Sequence, residues 1–150
     1  MSNVPLKSLD DFKGIKIRTA GGLGAGLFSK LGASPVNLGG GELYTALDTK
    51  VVDAAEFVSL AENYDIGLHE VTKYVLYPSF HGPIALCDFG VNQKAWDKLP
   101  DDLKAAFKTW IFELDARFDY MSTAESLKAL VKMKEAGIEQ TQLSDADMMK

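Results

Sequence analysis

The longest apolar repeat in the chain is too long for the globule that the chain alone can make. From residue 101 to 136, Leu103, Phe107, Trp110, Leu114, Phe118, Met121, Leu127 and Val131 recur close to helical spacing. Pro100 is preset for a first turn, Asp101 and Asp102 stand at the positive end of the helix dipole, and Gly137 supplies a stop. Unbroken, such a helix measures about 54 Å at a rise of about 1.5 Å per residue. A compact chain of 150 residues is only about 38 Å across, from a radius of gyration of about 15 Å. The helix must bend, break or bridge, and bridging between lobes or subunits is the expectation adopted.

What precedes it alternates between the two periods. A short helix is expected first, with Ser8 as cap, Asp11 at the third position and Gly14 as terminator. Ile15 to Thr19 reads as a strand with Ile15 and Ile17 on one face and Lys16 and Arg18 on the other. After Gly21-Gly22 comes a helix with Leu23, Leu27, Phe28 and Leu31, closed by Gly32. A strand over 33–38, a helix over 42–48 with Leu43, Ala46 and Leu47 inward, and a strand over 51–58 complete the series. This order predicts an α/β fold with a parallel sheet. Residues 71–77 and 84–91 read as two strands of a second sheet, with no obvious partner elsewhere, joined by Pro78-Ser79-Phe80-His81-Gly82-Pro83. Residues 138–143 read as a last strand, and Ser144 with Asp147 begins a helix that the chain cuts short. The expectation is part of a two-lobed protein: 1–57 and 98–150 make most of one lobe, and 58–97 is a return segment of the other.

Charge narrows the function classes. Sixteen Lys and Arg against 21 Asp and Glu leave a net charge of −5, which argues against a nucleic-acid partner. Lys13, Lys16 and Arg18 form the only dense basic cluster in the first half. The single cysteine, Cys87, excludes an internal disulfide and a multi-cysteine zinc site. Apolar runs such as Ile84 to Cys87 fall far short of the roughly 20 residues that span a bilayer. The N-terminus lacks the basic, apolar, small-residue order of a signal peptide, which taken alone reads as cytoplasmic.

Arg18 is the most informative single residue. It lies near the end of its strand, beside a glycine-rich turn and a helix start, the edge where open α/β sheets bind ligands. A guanidinium there can grip a carboxylate with two parallel hydrogen bonds; the competing reading is a surface arginine paired with Asp53 or Glu56. The Gly21–Gly26 turn does not complete G-x-G-x-x-G in either register, so a flexible turn is favoured over a dinucleotide site, although its helix start could attract an anion. Along 53–57, Asp53, Ala55 and Phe57 share one face and Ala54 and Glu56 the other. A carboxylate here could hold a hard cation or pair with Arg18, and Phe57 could be core. His69 and His81 are not at metal-ligand spacing with Cys87, and no Ser, Cys or Thr has a neighbouring base in a catalytic pattern.

Several blocks together carry a resemblance. They are Phe12-Lys13-Gly14-Ile15-Lys16-Ile17-Arg18, Leu31-Gly32-Ala33-Ser34-Pro35-Val36, Gly41-Glu42-Leu43-Tyr44-Thr45-Ala46-Leu47, Val52-Asp53-Ala54-Ala55-Glu56-Phe57 and Val91-Asn92-Gln93-Lys94-Ala95-Trp96. Their order resembles the extracytoplasmic solute receptors of tripartite ATP-independent periplasmic (TRAP) transporters, from about Leu6 to the end. The resemblance implies the later part of a receptor about twice as long. Its fold is periplasmic-binding-protein-like (type II), with a long C-terminal helix across both lobes. It implies a carboxylate-binding arginine at Arg18. Glu56-Phe57 departs from the Glu-Asn pattern of the dicarboxylate and sialic-acid receptors. It resembles the Glu-Trp pair of the branch that binds 2-oxo acids and lactate-type acids. There the Glu helps coordinate a cation, here Na+ or Ca2+ at Glu56, and the aromatic packs on it; Phe57 lacks the indole donor. The loop carrying His81 resembles that branch with less aromatic bulk. The implied partners are a small carboxylic acid and the membrane permease subunits, and the implied location of the parent protein is the periplasm, with the leader lying outside this sequence. Homodimers through the long helix or by strand exchange are a further expectation. The alternatives are a small α/β enzyme with an anionic cofactor at Gly21–Gly26, and a structural module that dimerises through the helix.

Overall fold

The computed structural model describes residues 1–80 and 89–149. A parallel sheet forms from β1 (Lys16–Thr19), β2 (Ser34–Asn37) and β3 (Ala54–Ala55) in the order β2-β1-β3. Its register sets Ile17 against Pro35 and Ala54, and Arg18 against Val36 and Ala55. Helices α1 (Gly22–Lys30) and α2 (Leu43–Asp48) follow β1 and β2. The two-residue period of the strands sends Ile17 and Ala54 into a core with Phe12, Phe28 and Leu143, while Ala55 joins Leu43, Leu47, Val52 and Leu68. Helix α1 supplies the first core and α2 the second, so the sheet is sandwiched between them. The opening helix is a single 3-10 turn, Leu9–Phe12, whose start is held by the Asp11 carboxylate accepting from the Lys7 and Ser8 amides, both at 2.8 Å.

Two expectations change here. Leu23 is 95% exposed, because α1 begins at the very rim of the sheet and only Phe28 of the helix is fully enclosed. The strand expected over 51–58 shortens to Ala54–Ala55, since β1 offers it only Ile17 and Arg18 as partners.

The second sheet also differs. Strand β4 (Tyr74–Leu76) pairs in parallel with β5 (Glu139–Thr141), so residues 71–77 do have a partner, supplied from beyond the long helix. On its other side Ser2 bridges both Ala54 and Tyr74, exchanging 2.9 Å backbone bonds with Tyr74. Residue 2 thereby joins the two sheets, meeting β4 at Tyr74. The expected strand over 84–91 lies outside the described residues up to 88, and Phe89 to Val91 are irregular.

Helix α3 (Leu60–Asp65), which the periodicity did not announce, and α4 (Gln93–Asp97) precede α5, Asp101–Glu135. Helix α5 is unbroken over 35 residues. Its last turns bury Leu130 and Met133 with Val75 and Ile138, flanked by Leu60, Tyr64 and Tyr77. Within 58–77, Leu68 and Val71 pack with Leu43, Leu47 and Val52, and Leu60, Tyr64, Val75 and Tyr77 with the end of α5. The earlier turns of α5 instead form a cluster with the approach to it: Phe107 lies 5.8 Å from both Trp96 and Trp110, and Phe89 lies 5.7 Å from Trp110. Helix α6 (Asp145–Met148) starts at Ser144, whose hydroxyl accepts from the Asp147 amide at 3.2 Å.

Candidate functional site

The strands β1 and β3 run in the same direction and deliver Arg18 and Glu56 to one rim. Arg18 is only 5% exposed. Its Nε donates to the Leu38 carbonyl at 2.9 Å and its Nη1 to the Glu56 carbonyl at 2.7 Å. The chain leaving β2 and the chain leaving β3 thus fix the plane of the guanidinium. The Glu56 carboxylate is 4.0 Å from Nη1, and the Phe57 ring lies 5.5 Å below the guanidinium carbon. Among the described residues Nη2 has no hydrogen-bond partner, so donors remain after the two carbonyls are served. Of the surface-arginine reading, the exposure is overturned, since Arg18 is buried, while the pairing with Glu56 is present at 4.0 Å.

Phe57 is held from the opposite side by Gly40, where an added Cβ would come within 3.0 Å of the ring. The ring packs against the α2 core, and the residue lines a cavity of about 690 Å³. Glu56, Phe57, Val58 and Ser59 line that cavity, together with Ala20, Gly21 and Gly24 from the start of α1. Tyr77 to Phe80 form another wall, and Asp115, Phe118, Ser122, Thr123 and Ser126 of α5 a third. The cavity is therefore shared between the sheet rim and the long helix.

The structure brings Arg18, Glu56 and Phe57 together. Asp53 is elsewhere engaged, accepting from the Lys16 amide at 2.8 Å. His81 lies outside the described residues. The expected flexible turn over Gly21–Gly26 is instead the N-cap and first turns of α1; Gly21 and Gly24 line the cavity, and Gly21 gives the helix no side-chain cap. Sequence reasoning missed Asn63, which lines the cavity at 5% exposure. Its Nδ2 donates to the Phe57 carbonyl at 3.5 Å, whereas its Oδ1 is unpartnered among the described residues. An asparagine inside a short helix carries no sequence signal for that role.

Charge around the rim is mixed. The Met1 amino group donates to the Ala55 carbonyl at 3.1 Å; burial lowers its pKa from 8.0 to about 6, against the opposing pull of Glu56. For a cation, the described residues hold no group of three or more His, Cys, Asp or Glu side chains. Glu56 can give one carboxylate, already the counter-charge of Arg18; further oxygens would have to come from carbonyls, water or the ligand.

Comparison with known proteins decides the family. A family model described as bacterial extracellular solute-binding protein, family 7 (DctP), matches residues 1–150. The chain belongs to this family. It is 35% identical over 132 residues to a monocarboxylate 2-oxoacid-binding periplasmic protein of Nostoc sp., covering 88% of this chain and 36% of that one. It is 33% identical over 138 residues to the C4-dicarboxylate-binding periplasmic protein DctP of Rhodobacter capsulatus, covering 91% and 40%. A TRAP transporter solute-binding protein from Bordetella bronchiseptica, solved as a mixed-occupancy dimer with copurified calcium and picolinate, superposes with a TM-score of 0.85 at 29% identity, over 99% of this chain and 44% of that one. The receptor from Desulfovibrio salexigens with bound orotic acid gives 0.82 at 28% identity, over 99% and 47%. The chain thus spans less than half the length of these relatives. Its fold is the periplasmic-binding-protein-like α/β architecture of TRAP receptors. The relatives are solute-binding proteins, which sets aside the enzyme alternative.

Proposed function

We propose that the protein carrying this chain is a TRAP solute receptor that captures a small organic acid, a 2-oxo or 2-hydroxy monocarboxylate, in the cavity at the β1–β3 rim. The observation that carries this reading is Arg18, buried and held in plane by two carbonyls, one of them from Glu56, which lines the cavity, with Nη2 unpartnered among the described residues. A carboxylate arriving there exchanges water for charge-assisted bonds from a guanidinium whose orientation is already fixed. Phe57 gives the ligand's carbon skeleton an apolar surface and Glu56 balances the charge. Calcium with picolinate in the Bordetella relative supports a Na+ or Ca2+ ion shared between Glu56 and the bound acid. Such an ion would offset the repulsion between that carboxylate and the ligand's.

The lobe division belongs to the same reading. Residues 1–80 and the chain from 128 onward pack as one body. We assign residues 89–127 to the second lobe, which differs from the division at residue 58 expected from the sequence. The α5 side chains lining the cavity then face the ligand from the opposite lobe. Closure follows if the acid makes better contacts with both walls in the closed state than in the open one. The closed receptor would hand its acid to membrane permease subunits from the periplasm, where the relatives are named as residing.

The test is calorimetric titration of the full-length protein with pyruvate, L-lactate and succinate. Submicromolar binding of a monocarboxylate, weakened in Arg18→Lys, is the expected result. Binding of none of these acids would overturn the reading. The 150-residue chain alone is expected to bind the same acid far more weakly, because part of the enclosing surface is not in it.

A further inference from the structure

We infer that Gly40 is a positioning residue for acid binding: its missing side chain lets the Phe57 ring lie on the Arg18 guanidinium, and that seating holds the guanidinium in its acid-binding orientation. The inference rests on the reading of Arg18 as the acid's anchor and adds a residue that acts on the acid through two others.

Gly40 opens the 3-10 turn Gly40–Glu42 that follows β2. Its backbone is not in the left-handed region, so conformation does not call for glycine here. Space does. A Cβ added to Gly40 would stand 3.0 Å from Cε2 and 3.4 Å from Cζ of Phe57, and beyond its chain neighbours no other described residue comes within 4 Å. Carbon atoms rest about 3.5–4.0 Å apart, so an added methyl pushes the ring by roughly half an ångström. The turn has little freedom to give instead, because the Gly39 amide donates to the Glu42 carboxylate at 2.8 Å and the Glu42 amide to the Gly39 carbonyl at 3.1 Å. Two residues before Gly40 stands Leu38, whose carbonyl accepts from Nε of Arg18 at 2.9 Å. On the other strand exit the Glu56 carbonyl accepts from Nη1 at 2.7 Å, and the Phe57 ring that follows lies 5.5 Å from the guanidinium carbon. The contact of Gly40 with Phe57 therefore joins the two segments that grip Arg18. Displacing the ring takes it off the guanidinium and pulls on the peptide that holds Nη1. A binding group keeps its affinity only while it stays within about half an ångström of its productive geometry. Gly41 is the contrast, since a Cβ added there meets nothing within 4 Å.

The experiment is calorimetric titration of the full-length protein with L-lactate and with pyruvate, alongside melting curves for every variant. Gly40→Ala is expected to weaken the acid that binds by about fivefold or more, and Gly41→Ala to leave it within about twofold. Phe57→Leu removes both ring atoms that the added methyl would meet, and is expected to weaken the acid by about threefold. Adding Gly40→Ala to Phe57→Leu should then change affinity by less than about twofold, an outcome that general destabilisation would not produce. A folded Gly40→Ala protein that binds as tightly as wild type would overturn the inference, as would a loss that persists in the Phe57→Leu background. Unchanged affinity in Phe57→Leu alone would overturn it too, which keeps the test decisive if Gly40→Ala alone does not fold. Failure of both acids to bind the wild type would instead strike the proposed function itself.

Discussion

The two ends of α5 live in different surroundings. Near its C-terminus Leu130 and Met133 are buried, 8% and 0% exposed, against Val75 and Ile138. In its earlier turns Leu103, Trp110, Phe112 and Tyr120 stand 51%, 48%, 80% and 75% exposed. Both stretches are comparably apolar in sequence, so composition does not separate them. What differs is whether the chain supplies a covering layer. The C-terminal turns meet α3 and pack with Val75 and Ile138, whereas among the described residues the ring contacts of the earlier ones are with Phe89, Trp96 and one another. A large exposed apolar face is the kind of surface that a further layer of protein covers.

Substitutions should divide along that line. Leu47→Ala, in the fully enclosed α2 core, is expected to cost about 2–5 kcal/mol in a denaturant titration. Phe112→Asp, on the uncovered face, is expected to change stability by about 0.5 kcal/mol or less. The same change should lower self-association of the 150-residue chain by light scattering. A large stability loss from Phe112→Asp would show that the face is covered after all.

A second expectation concerns the body alone. With the Met1 amino group at about 6 when folded and 8.0 otherwise, the unfolded chain binds more protons between those values. For the chain with a free amino group, stability should be full above about pH 8 and fall as pH drops towards 6. The loss is at most about 3 kcal/mol, and acetylating the terminus should abolish the slope. Gly40→Ala should press on the Phe57 ring and cost about 1–3 kcal/mol by overpacking. The smallest effect is expected at the 3-10 turn: Asp11→Asn weakens two backbone bonds and should cost about 1 kcal/mol or less. Those bonds hold the Asp11 carboxyl below its usual range, so that contribution fades as acid protonates it.

Periodicity made β1, α1, α2 and the length of α5 legible, because each repeats its own side-chain pattern over enough residues to be distinctive. The pairing of β4 with β5 was not legible, since Tyr74 and Glu139 are brought together only by the path of α5 between them. Helix α3 is six residues long and is held by its Ser59 cap and by contacts with α5, neither of which leaves a periodic trace. At the site, alternation put Arg18 on a face but could not say that Leu38 and Glu56 would close over it with their carbonyls. Backbone acceptors carry no side-chain identity, so a sequence cannot announce them. The resemblance at Glu56-Phe57 pointed to a candidate site, and the geometry shows how Arg18, Glu56 and Phe57 hold one another.

The most direct measurement is the affinity of full-length wild type and Arg18→Lys for the preferred acid, with melting curves for both. Lysine keeps the charge but cannot hold two carbonyls and a carboxylate in one plane. The expected result is a loss of about 1–3 kcal/mol in binding, roughly fivefold to 150-fold, in a protein that remains folded. A folded variant that binds the acid as tightly as wild type would contradict the account.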